Sequence, residues 1–494
     1  MITLGQLLQG VTDARMVRCD AATAIAAVAT DSRRVAPGDL FVALTGASHD
    51  AHRFVPEVLA RGAAAVVVRE GFTTDGPHVS VPDTWAALPI IAAHAHGDPG
   101  EHLRLAAVTG TNGKTTTAHL VGAILRTAGR AHARLGTTGN WLVDHEDRSS
   151  FTTPFPLELQ ALLADARRRG ATDVVMEASS HALAQARVAP LRFAGVGLTS
   201  FSQDHLDFHR DMDDYLRAKC LLPSTYLRRD GIAVAAVDGQ PAAASFLAAA
   251  TAAGARAWRA SRQDPTAEIH ADAIVFADTG TRGWLETPMG RVELSSPLLG
   301  PFNLDNLMVT TGLALALGLA PEAIAQGLAH AHGAPGRLEP VRGEGGGGPT
   351  VIVDYAHTPD AVERTLAVLR PLARGRLWVV LGCGGDRDPS KRPLMGGIAA
   401  RDADRFFATS DNPRSESPER IVDDMLAGMP SALAAKVTRE VDRAAAIAMA
   451  IALADDDDLV VVAGKGHEDY QQLAGQTIHF DDREHARAAL ARRG

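Results

Sequence analysis

Residues 109–116 read Thr-Gly-Thr-Asn-Gly-Lys-Thr-Thr, and this stretch decides how the rest of the chain is interpreted. The apolar run 103–108 before it predicts a strand, and the residues after it have the pattern of a helix. Glycines let backbone N–H groups approach an anion, and Lys114 can reach the outer phosphates of a nucleotide. A plain turn before a helix is the alternative, but Lys114 and Thr115 at the helix start argue against it. Because Val108 stands where the usual P-loop has its first glycine, we expect a variant phosphate loop.

The composition is that of a large soluble enzyme. At about 150 residues per domain, 494 residues predict three domains. A net charge of −9, without a basic block, argues against nucleic acid as a ligand. Three cysteines without a Cys-x2-Cys pair indicate a reducing compartment and no structural zinc. The sequence has neither a signal-like start nor an 18-residue apolar span, so we expect a cytoplasmic protein without membrane insertion.

Two breaks divide the sequence, at His96-Gly-Asp-Pro-Gly100 and at Gly333-Ala-Pro-Gly336. We therefore expect domains at 1–97, 98–333 and 334–494. In the second and third, apolar runs alternate with helical patterns, which predicts an α/β fold with mostly parallel sheets. The expected strands are 173–176, 195–199, 232–237, 351–353, 377–381, 405–409 and 459–463.

Charged residues follow two of these strands. Parallel sheets bind ligands at the carboxyl ends of their strands, so these residues are candidates for a site. Glu177 and His205 each come after an expected strand, and Lys219 lies on an amphipathic helix. A carboxylate and a histidine beside a phosphate loop suit a hard cation next to a nucleotide triphosphate. A zinc pair of His205 and His209 is an alternative, although Leu206 occupies the position of a zinc-protease general base. For Lys219 the alternative is an ordinary solvated lysine.

Several motifs resemble those of the Mur ligases, cytoplasmic enzymes that add amino acids to the UDP-linked muramyl peptide of bacterial cell walls. They are residues 109–116, Met176-Glu-Ala-Ser-Ser-His181, Asp204-His-Leu-Asp207 with Tyr215-x3-Lys219, and Gly300-Pro-Phe-Asn303-x2-Asn306. Others are similar to the branch that adds the third residue, the MurE type. These are Asp31-Ser-Arg33, Pro37-Gly-Asp-Leu-Phe-Val-Ala43, Thr152-Thr-Pro154, Asp354-Tyr-Ala-His-Thr-Pro-Asp360, Gly382-Cys-Gly-Gly-Asp-Arg387, Asp411-Asn-Pro-Arg414 and Gly464-Lys-Gly-His-Glu468.

The resemblance implies an ATP-dependent amide ligase that works through an acyl phosphate, with Mg²⁺ as cofactor and ADP and phosphate as products. It implies an N-terminal uridine-nucleotide-binding α/β domain, a central P-loop-like ATPase and a C-terminal Rossmann-like α/β domain. The catalytic residues that it implies are Lys114, Glu177, His205 and Lys219. The implied metal ligands are Thr115, Glu177, His205 and Lys219, the last as a carbamate formed with CO₂. The implied ATP contacts are Gly110, Thr111, Asn112, Gly113, Lys114, Thr115, Thr116, Asn303, Asn306, Arg337, Asp354 and His357.

The resemblance also implies the contacts of the other two substrates. Those of the UDP-muramyl dipeptide are Ser32, Ala47, Ser48, His49, Thr152, Thr153, Ser179, Gln185 and Arg187. Those of the incoming amino acid are Arg387, Asp411, Asn412, Pro413, Arg414, Gly464 and Glu468. In the family, Arg414 accompanies meso-diaminopimelate rather than lysine, because its guanidinium can bind a second carboxylate with two parallel hydrogen bonds. Glu468 suits the distal ammonium.

Three alternatives stay open at this point. A lysine-adding Mur ligase is disfavoured by Arg414. Folylpolyglutamate synthase shares the ATP core but lacks the N-terminal block, and residues 1–97 are present here. A nucleotide-binding regulatory protein without catalysis would be expected to have lost one of the implied catalytic residues. Ser200 departs from the family, which has asparagine there. We expect small-molecule substrates only, and a monomer.

Overall fold

The apolar runs of the sequence form the strands of largely parallel sheets, as expected. The computed structural model describes residues 2–46, 49–277, 280–331, 333–343, 348–427 and 429–493. Contacts divide the chain into two units. The first comprises Met1–Asp272, Trp284–Glu293 and Asp305–Leu328, and the second Ala273–Gly283, Leu294–Leu304 and Ala329–Gly494.

The N-terminal part of the first unit is built around a five-stranded sheet. Its elements are β1 (Ile2–Thr3), α1 (Leu4–Leu7), β2 (Arg15–Val17), β3 (Ala24–Ile25), β4 (Val28–Ala29), β5 (Leu40–Val42), α2 (Val55–Ala60), β6 (Ala65–Arg69), β7 (His78–Val81) and α3 (Thr84–Ala95). The sheet order is β2-β7-β6-β5-β4, with every pair parallel except β2 with β7. Strands β5 and β6 are apolar and almost wholly buried, as expected of strands covered on both faces.

A larger sheet follows in the chain. Its region contains β8 (Arg104–Thr109), α4 (Lys114–Thr127), β9 (His132–Gly136), β10 (Gly139–Leu142), β11 (His145–Asp147), α5 (Pro156–Arg168), β12 (Asp173–Glu177), α6 (Ser180–Ala184), β13 (Phe193–Leu198), α7 (Met212–Leu221), β14 (Leu227–Ala236), α8 (Ala242–Ala252), β15 (Arg256–Ser261), β16 (Ile269–Ala277), β17 (Gly280–Glu286), β18 (Val292–Ser296), α9 (Pro301–Ala316) and α10 (Pro321–His330). Strands β9, β12, β8, β13, β14 and β15 are neighbours in this order and run parallel. The ends of β8, β12 and β13 therefore meet at one edge, which is where the phosphate loop and the residues after Glu177 and Leu198 lie.

The second unit has its own sheet. Its elements are β19 (Glu339–Val341), β20 (Thr350–Asp354), α11 (Pro359–Leu369), β21 (Leu377–Cys383), α12 (Lys391–Asp402), β22 (Arg405–Ser410), α13 (Pro418–Leu426), β23 (Val437–Arg439), α14 (Arg443–Leu453), β24 (Leu459–Ala463), β25 (Tyr470–Leu473), β26 (Gln476–His479) and α15 (Asp482–Arg493). The order is β19-β20-β24-β21-β22-β23, parallel except for the first pair. Two separate apolar clusters pack on this sheet, as expected of a sheet with helices on both faces.

A buried ion pair fixes the strand ends of this second sheet. Arg443 and Asp482 have fully buried side chains and approach to 2.7 Å. The same guanidinium donates to the carbonyl oxygens of Ser410, at 3.2 Å, and Ala463, at 3.0 Å. Ser410 ends β22 and Ala463 ends β24. The pair therefore satisfies backbone carbonyls at the points where the two predicted amino-acid-binding motifs begin.

Candidate active site

The predicted phosphate loop joins β8 to α4 in the first unit. Gly110 and Gly113 have φ angles of 150° and 90°, a region that favours glycine, and Gly113 is the N-cap residue of α4. The Lys114 amine donates hydrogen bonds to the carbonyl oxygens of Gly110, at 2.8 Å, and Thr111, at 3.0 Å. The loop thus curls around its own lysine, next to the N–H groups of the first helical turn.

Residues beyond the end of β13 brace this loop. Ser200 Oγ accepts a hydrogen bond from the Asn112 amide at 2.9 Å and donates one to the Asn112 carbonyl at 3.0 Å. Thr199 Oγ1 donates to the same carbonyl at 2.5 Å. The Thr111 hydroxyl lies 3.2 Å from that of Tyr215. The serine at position 200, which departs from the family motif, therefore still fixes the phosphate loop.

Thr115 and Glu177 meet next to the loop. Glu177 ends β12 and is 1% exposed. Its Oε2 accepts hydrogen bonds from the hydroxyls of Thr115, at 3.0 Å, and Thr137, at 3.1 Å. The Thr137 hydroxyl in turn lies 3.0 Å from that of Thr152. Hydroxyl and carboxylate oxygens suit Mg²⁺. Among the described residues no group of three or more His, Cys, Asp or Glu side chains could hold a metal.

Lys219 lies on α7 and is 1% exposed, so the alternative of a solvated lysine is wrong. Its amine lies 4.4 Å from the centre of the Tyr215 ring. Burial, and next the charge of Lys114, lower the pKa of Lys219 well below its usual value. This environment favours the neutral amine, which is a nucleophile.

His205 lies in a cluster of rings. The His181 ring centre is 4.1 Å from that of Phe208, 4.8 Å from His205 and 5.6 Å from His209. Burial lowers the pKa of all three histidines, that of His181 to about 4. His209 Nε2 lies 2.9 Å from Ser180 Oγ. Because His209 is engaged in this contact, the zinc-pair alternative gains no support from the geometry.

The residues implied to bind the acceptor form a connected hydrogen-bond network. The Thr153 hydroxyl donates to the Glu177 carbonyl at 2.8 Å and accepts from the Ser179 amide at 3.0 Å. Arg187 donates to Gln185 Oε1 at 2.8 Å and to the Thr153 carbonyl at 3.1 Å. The structure therefore brings together four of the residues that the sequence predicted.

Aromatic rings connect this network to the N-terminal sheet. The Arg187 guanidinium lies 3.8 Å from the ring centre of Phe155 and 5.7 Å from that of Phe151. Trp85 lies 6.3 Å from Phe155 and donates from its indole to the Thr45 carbonyl at 2.9 Å. Thr45 belongs to the loop that carries the implied nucleotide-sugar contacts.

The implied uridine and sugar contacts are described only in part. Ser32 is buried, and its carbonyl accepts a hydrogen bond from Arg61 at 2.9 Å. The His49 carbonyl accepts one from the Gly46 amide at 2.7 Å. Ala47 and Ser48, between them, lie outside the described residues.

The second unit collects the implied amino-acid contacts at the ends of β22 and β24. Asn412 Nδ2 donates to Glu468 Oε2 at 2.7 Å and so joins the two motifs. Arg414 has a φ of 53°, and its Nη1 donates to the Gly385 carbonyl at 2.6 Å. Burial, and next the charge of Asp411, raise the pKa of Glu468. An ammonium group would relieve this pair of carboxylates.

The other implied contacts of this motif set lie nearby. Gly464 has a φ of 115°, and a methyl carbon added there would lie 2.6 Å from Asp411 Oδ2. The glycine is therefore required both for its backbone conformation and for the close approach of the carboxylate. Pro413 is buried, whereas Arg387 is exposed in the loop after β21.

Three implied nucleotide contacts surround Tyr355 in the second unit. The Arg337 guanidinium lies 4.4 Å from the centre of its ring, and His357 Nδ1 lies 2.7 Å from its carbonyl oxygen. Asp354 accepts a hydrogen bond from the Leu338 amide at 2.8 Å, and burial raises its pKa. In this arrangement Asp354 holds the segment that carries Arg337.

Helix α9 carries both implied adenine contacts. Asn303, in the second unit, donates to the Leu299 carbonyl at 3.0 Å. Asn306, in the first unit, lies close to Gly113: a methyl carbon added at Gly113 would overlap the side-chain oxygen of Asn306. Thr116 is buried on α4.

Comparisons with known proteins agree with this arrangement. Residues 24–97 match the Mur ligase family catalytic domain, 108–314 the Mur ligase middle domain and 336–466 the Mur ligase glutamate ligase domain. A relative from Gloeobacter violaceus, a UDP-N-acetylmuramoyl-L-alanyl-D-glutamate–2,6-diaminopimelate ligase, is 47% identical over 474 residues, which are 95% of this chain and 94% of the relative. The chain belongs to the Mur ligase family.

Solved structures agree with membership of the Mur ligase family. A UDP-N-acetylmuramoyl-L-alanyl-D-glutamate–2,6-diaminopimelate ligase has a TM-score of 0.73 and 32% identity, and the match covers 99% of this chain and 98% of that one. ADP-bound Mycobacterium tuberculosis folylpolyglutamate synthase has a TM-score of 0.62 at 20% identity, over 76% of this chain and 91% of that one. The latter likeness concerns the fold alone. Across the described residues, none of the helices has the length and apolarity needed to cross a membrane.

Several residues in the site of this Mur ligase were not singled out from the sequence. Thr199 and Thr137 hold the phosphate loop and Glu177, and Phe155 packs on Arg187. Lys465 is completely buried among the implied amino-acid contacts. A signal existed for Lys465 and Thr199, because both lie within or directly beside motifs. None existed for Thr137, whose contact with Glu177 depends on the pairing of distant strands.

Proposed function

We propose that this Mur ligase joins meso-2,6-diaminopimelate to UDP-N-acetylmuramoyl-L-alanyl-D-glutamate, in the synthesis of peptidoglycan precursors. The named relatives that cover almost the whole chain are diaminopimelate ligases. The observation that carries the proposal is the joining of the two amino-acid motifs by the Asn412–Glu468 hydrogen bond of 2.7 Å, with Arg414 in the same turn. Glu468 offers a carboxylate to an ammonium, and Arg414 offers a guanidinium to a carboxylate. Diaminopimelate carries both groups at its distal end, whereas lysine has only the ammonium.

The reaction makes an amide at the expense of ATP. The acceptor glutamate carboxylate attacks the γ-phosphorus, so that a P–O bond to ADP breaks and an acyl phosphate forms. The diaminopimelate amine then attacks the carbonyl carbon, phosphate leaves with the electron pair of the C–O bond, and the nitrogen loses a proton. Such chemistry needs alignment and neutralisation of charge more than covalent help from the protein. Lys114 is placed to neutralise phosphate charge, and Arg187 to hold an anionic group of the acceptor.

Thr115 and Glu177 fit a Mg²⁺ ion, because they present a hydroxyl and a carboxylate at 3.0 Å from each other beside the phosphate loop. When bound, the ion would neutralise charge on the phosphate oxygens. By the family resemblance, His205 and Lys219 would serve a second ion.

For Lys219 we propose a carbamate. The neutral amine adds to the carbon of CO₂ and the nitrogen releases a proton, so that an uncharged amine becomes an anionic, carboxylate-like ligand. The support is its burial and its lowered pKa, since only an unprotonated amine can make this bond. The same environment disfavours the ammonium form of Lys219, whereas the carbamate form could bind a metal ion there.

The remaining assignments follow from the family resemblance. Asn303, Asn306, Arg337, Asp354 and His357 would contact ATP, and Ser32, Ala47, Ser48 and His49 the uridine and sugar. Thr152, Thr153, Ser179, Gln185 and Arg187 would contact the pyrophosphate and peptide, and Arg387, Asp411 and Gly464 the amino acid. We also propose a cytoplasmic monomer with domains at 1–97, 98–333 and 334–494.

A competition assay tests the proposal. Purified protein receives ATP, Mg²⁺ and UDP-muramyl dipeptide with equal amounts of meso-, LL- and DD-diaminopimelate and lysine, and products are identified by mass and chromatography. We expect the meso-diaminopimelate product almost alone, with one ADP per product. A lysine product of similar yield would make the specificity wrong but leave the ligase standing. ATP consumption without any amide product would overturn the proposed function.

A further inference from the structure

A lysine without a role in the proposed reaction lies inside the predicted diaminopimelate pocket. Lys465 is the second residue of the motif that ends with Glu468, and its side chain is 0% exposed. Lysines are almost never fully buried unless they are paired. The residues that surround this side chain therefore indicate what it is for.

The surroundings of Lys465 are three of the implied amino-acid contacts. Its amine lies 3.4 Å from Glu468 Oε2, 3.2 Å from Asn412 Oδ1 and 4.0 Å from Asp411 Oδ1. Asn412 also donates to Glu468 Oε2 at 2.7 Å. Lys465, Asn412 and Glu468 thus form a closed triangle of polar contacts. The Asn412 side-chain oxygen accepts from the Lys465 ammonium and from the Gln472 amide, the latter at 3.0 Å, while its nitrogen faces the Glu468 carboxylate.

The charges directly around Lys465 do not cancel. The neighbouring Arg443 pairs with Asp482 at 2.7 Å, with both side chains fully buried, so these two are neutral together. Lys465 contributes one positive charge, while Asp411 and Glu468 contribute two negative charges. These three side chains therefore leave one negative charge for an ammonium group, while the guanidinium of Arg414 is left for the distal carboxylate of the amino acid.

We propose that Lys465 is a positioning residue for amino-acid binding, which holds Asn412 and Glu468 in place and offsets one of the two carboxylate charges beside it. This inference rests on the proposed function and adds a residue to it. Without Lys465 two carboxylates would share one buried site. Two such groups cannot both stay ionised easily, and one of them takes up a proton. A protonated Glu468 would be a poor partner for an ammonium group.

The pH dependence follows from the groups that face Glu468. These are Asp411, Lys465, Asn412, Arg443, Tyr355 and Tyr470. Burial and Asp411 already raise the pKa of Glu468, while Lys465 and Asn412 act in the opposite direction. Removal of Lys465 therefore moves the ionisation of Glu468 to higher pH. Binding of the ammonium substrate should then be weak at neutral pH and recover as pH rises.

The test measures KM for meso-diaminopimelate and for ATP in native protein, Lys465→Met and Lys465→Met/Glu468→Gln, between pH 7 and 9. Lys436→Met, a lysine elsewhere in the second unit, is the matched control. For Lys465→Met we expect KM for diaminopimelate to rise about 10- to 100-fold at pH 7, because one charge of a buried set is lost. The ratio of variant to native KM should fall as pH rises, while KM for ATP stays within about twofold.

The double variant separates charge from packing. It has no carboxyl group at position 468, so its KM ratio should not vary with pH. The proposal would be overturned if the KM for diaminopimelate of Lys465→Met were close to the native value, or if it were raised by a factor that does not depend on pH. If Lys465→Met does not fold, the double variant decides: recovered folding supports a charge role, and continued misfolding contradicts it. A native protein that does not ligate diaminopimelate would instead overturn the proposed function.

Discussion

Two fully buried lysines, one in each unit, have opposite surroundings. Lys219 faces the ring of Tyr215 at 4.4 Å, and the nearby cation Lys114 contributes to lowering its pKa. Lys465 has the carboxylates of Glu468 and Asp411 at 3.4 and 4.0 Å. The first environment disfavours an ammonium group and the second requires one. The same side chain at the same depth is thus suited to covalent modification in one unit and to charge compensation in the other.

The comparison teaches that burial alone does not assign a role to a lysine. Desolvation acts on both, but the sign of the neighbouring charge decides whether the protonated form survives. For Lys219, burial and the charge of Lys114 act together, against smaller opposing effects such as that of Asp204. For Lys465, the neighbouring carboxylates of Glu468 and Asp411 give a reason for the buried position.

Lys219→Ala should abolish ligation, with the rate falling by about 10³-fold or more. The reason is that the variant lacks a proposed ligand of the metal ion that neutralises charge. If the missing group is a carbamate, a short carboxylate such as acetate or propionate should restore part of the activity by filling the gap. Lys465→Met, the matched buried-lysine variant, should not respond to the same acids. The measurement is product formation against carboxylate concentration in both variants.

Depletion of CO₂ and bicarbonate provides the complementary control. Native activity should fall on depletion and return when bicarbonate is added. Full activity in depleted buffer, together with an unmodified amine in a high-resolution map, would rule out the carbamate. Equal rescue of both lysine variants would remove the distinction between the two sites.

Lys114→Ala should lower the rate of ligation by about 10²–10³-fold, as is common when a charge contact to the transition state is lost. The fold and the binding of UDP-muramyl dipeptide should persist, because the hydrogen bonds of 2.8 and 3.0 Å from Lys114 go to carbonyl oxygens of its own loop, those of Gly110 and Thr111. Single-turnover kinetics and calorimetric binding separate the two effects. Near-normal turnover would remove Lys114 from the reaction, and Lys436→Ala is the control for a lysine elsewhere.

Arg414→Ala should weaken diaminopimelate selectively. The side chain is half-buried, so we expect the lower end of the range for truncated charge pairs, about 2 kcal/mol, or about 30-fold in kcat/KM. KM for ATP should not change, and the preference over lysine should narrow without producing an efficient lysine enzyme. Competition between the two amino acids measures the effect. An unchanged preference would show that Glu468 and its neighbours, not Arg414, select the substrate.

The sequence predicted the α/β fold because its signals were local. Apolar runs such as 459–463 became strands with the expected bounds, and the glycines around Lys114 placed the phosphate loop between a strand and a helix. Strand ends differ by a few residues elsewhere. The strand expected at 232–237, for example, is Leu227–Ala236, because its polar start has no apolar pattern and the pairing with β13 shifts register between Phe193 and Gly195.

The site was predictable where residues share a motif and not where distant segments meet. Glu177 follows its strand directly, so its place at the sheet edge could be predicted from topology. Its partner Thr137 comes from the end of another strand, and only the register of β9 beside β12 brings the two together. The burial of Lys465 was not predictable either, because the motif fixes its neighbours along the chain but not the depth of the pocket.

A buried carboxyl group extends the comparison to the opposite charge, and the effect predicted for it concerns stability rather than activity. Asp305 lies on α9, 2.8 Å from Arg262 Nε, although neither atom has hydrogen-bonding geometry within the described residues. Burial raises the pKa of Asp305 to about 7, against the opposing charge of Arg262 and with the aid of Asp238. As at Lys219, burial and a nearby charge of the same sign shift the pKa in the same direction. The single oppositely charged partner, Arg262, does not offset this shift.

The sign of the resulting pH dependence is fixed by linkage. In the unfolded chain an aspartate titrates near about 3.9, so between about pH 4 and 7 the folded protein keeps a proton that the unfolded chain has lost. Stability is therefore lost as pH rises through this window, by up to about 1.4 kcal/mol per pH unit.

Asp305→Asn removes the titration. Its thermal midpoint should rise relative to the native protein from pH 5 to 7, and the difference should level off above pH 7. Asp264→Asn, at an exposed aspartate whose pKa is lowered, mainly by hydrogen bonds from Thr266, should show no such growth. If the difference in thermal midpoint between Asp305→Asn and native protein stays constant or shrinks as pH rises, the charge of Arg262 outweighs burial. The charge of the neighbouring partner would then decide the ionisation of buried acidic and basic side chains alike.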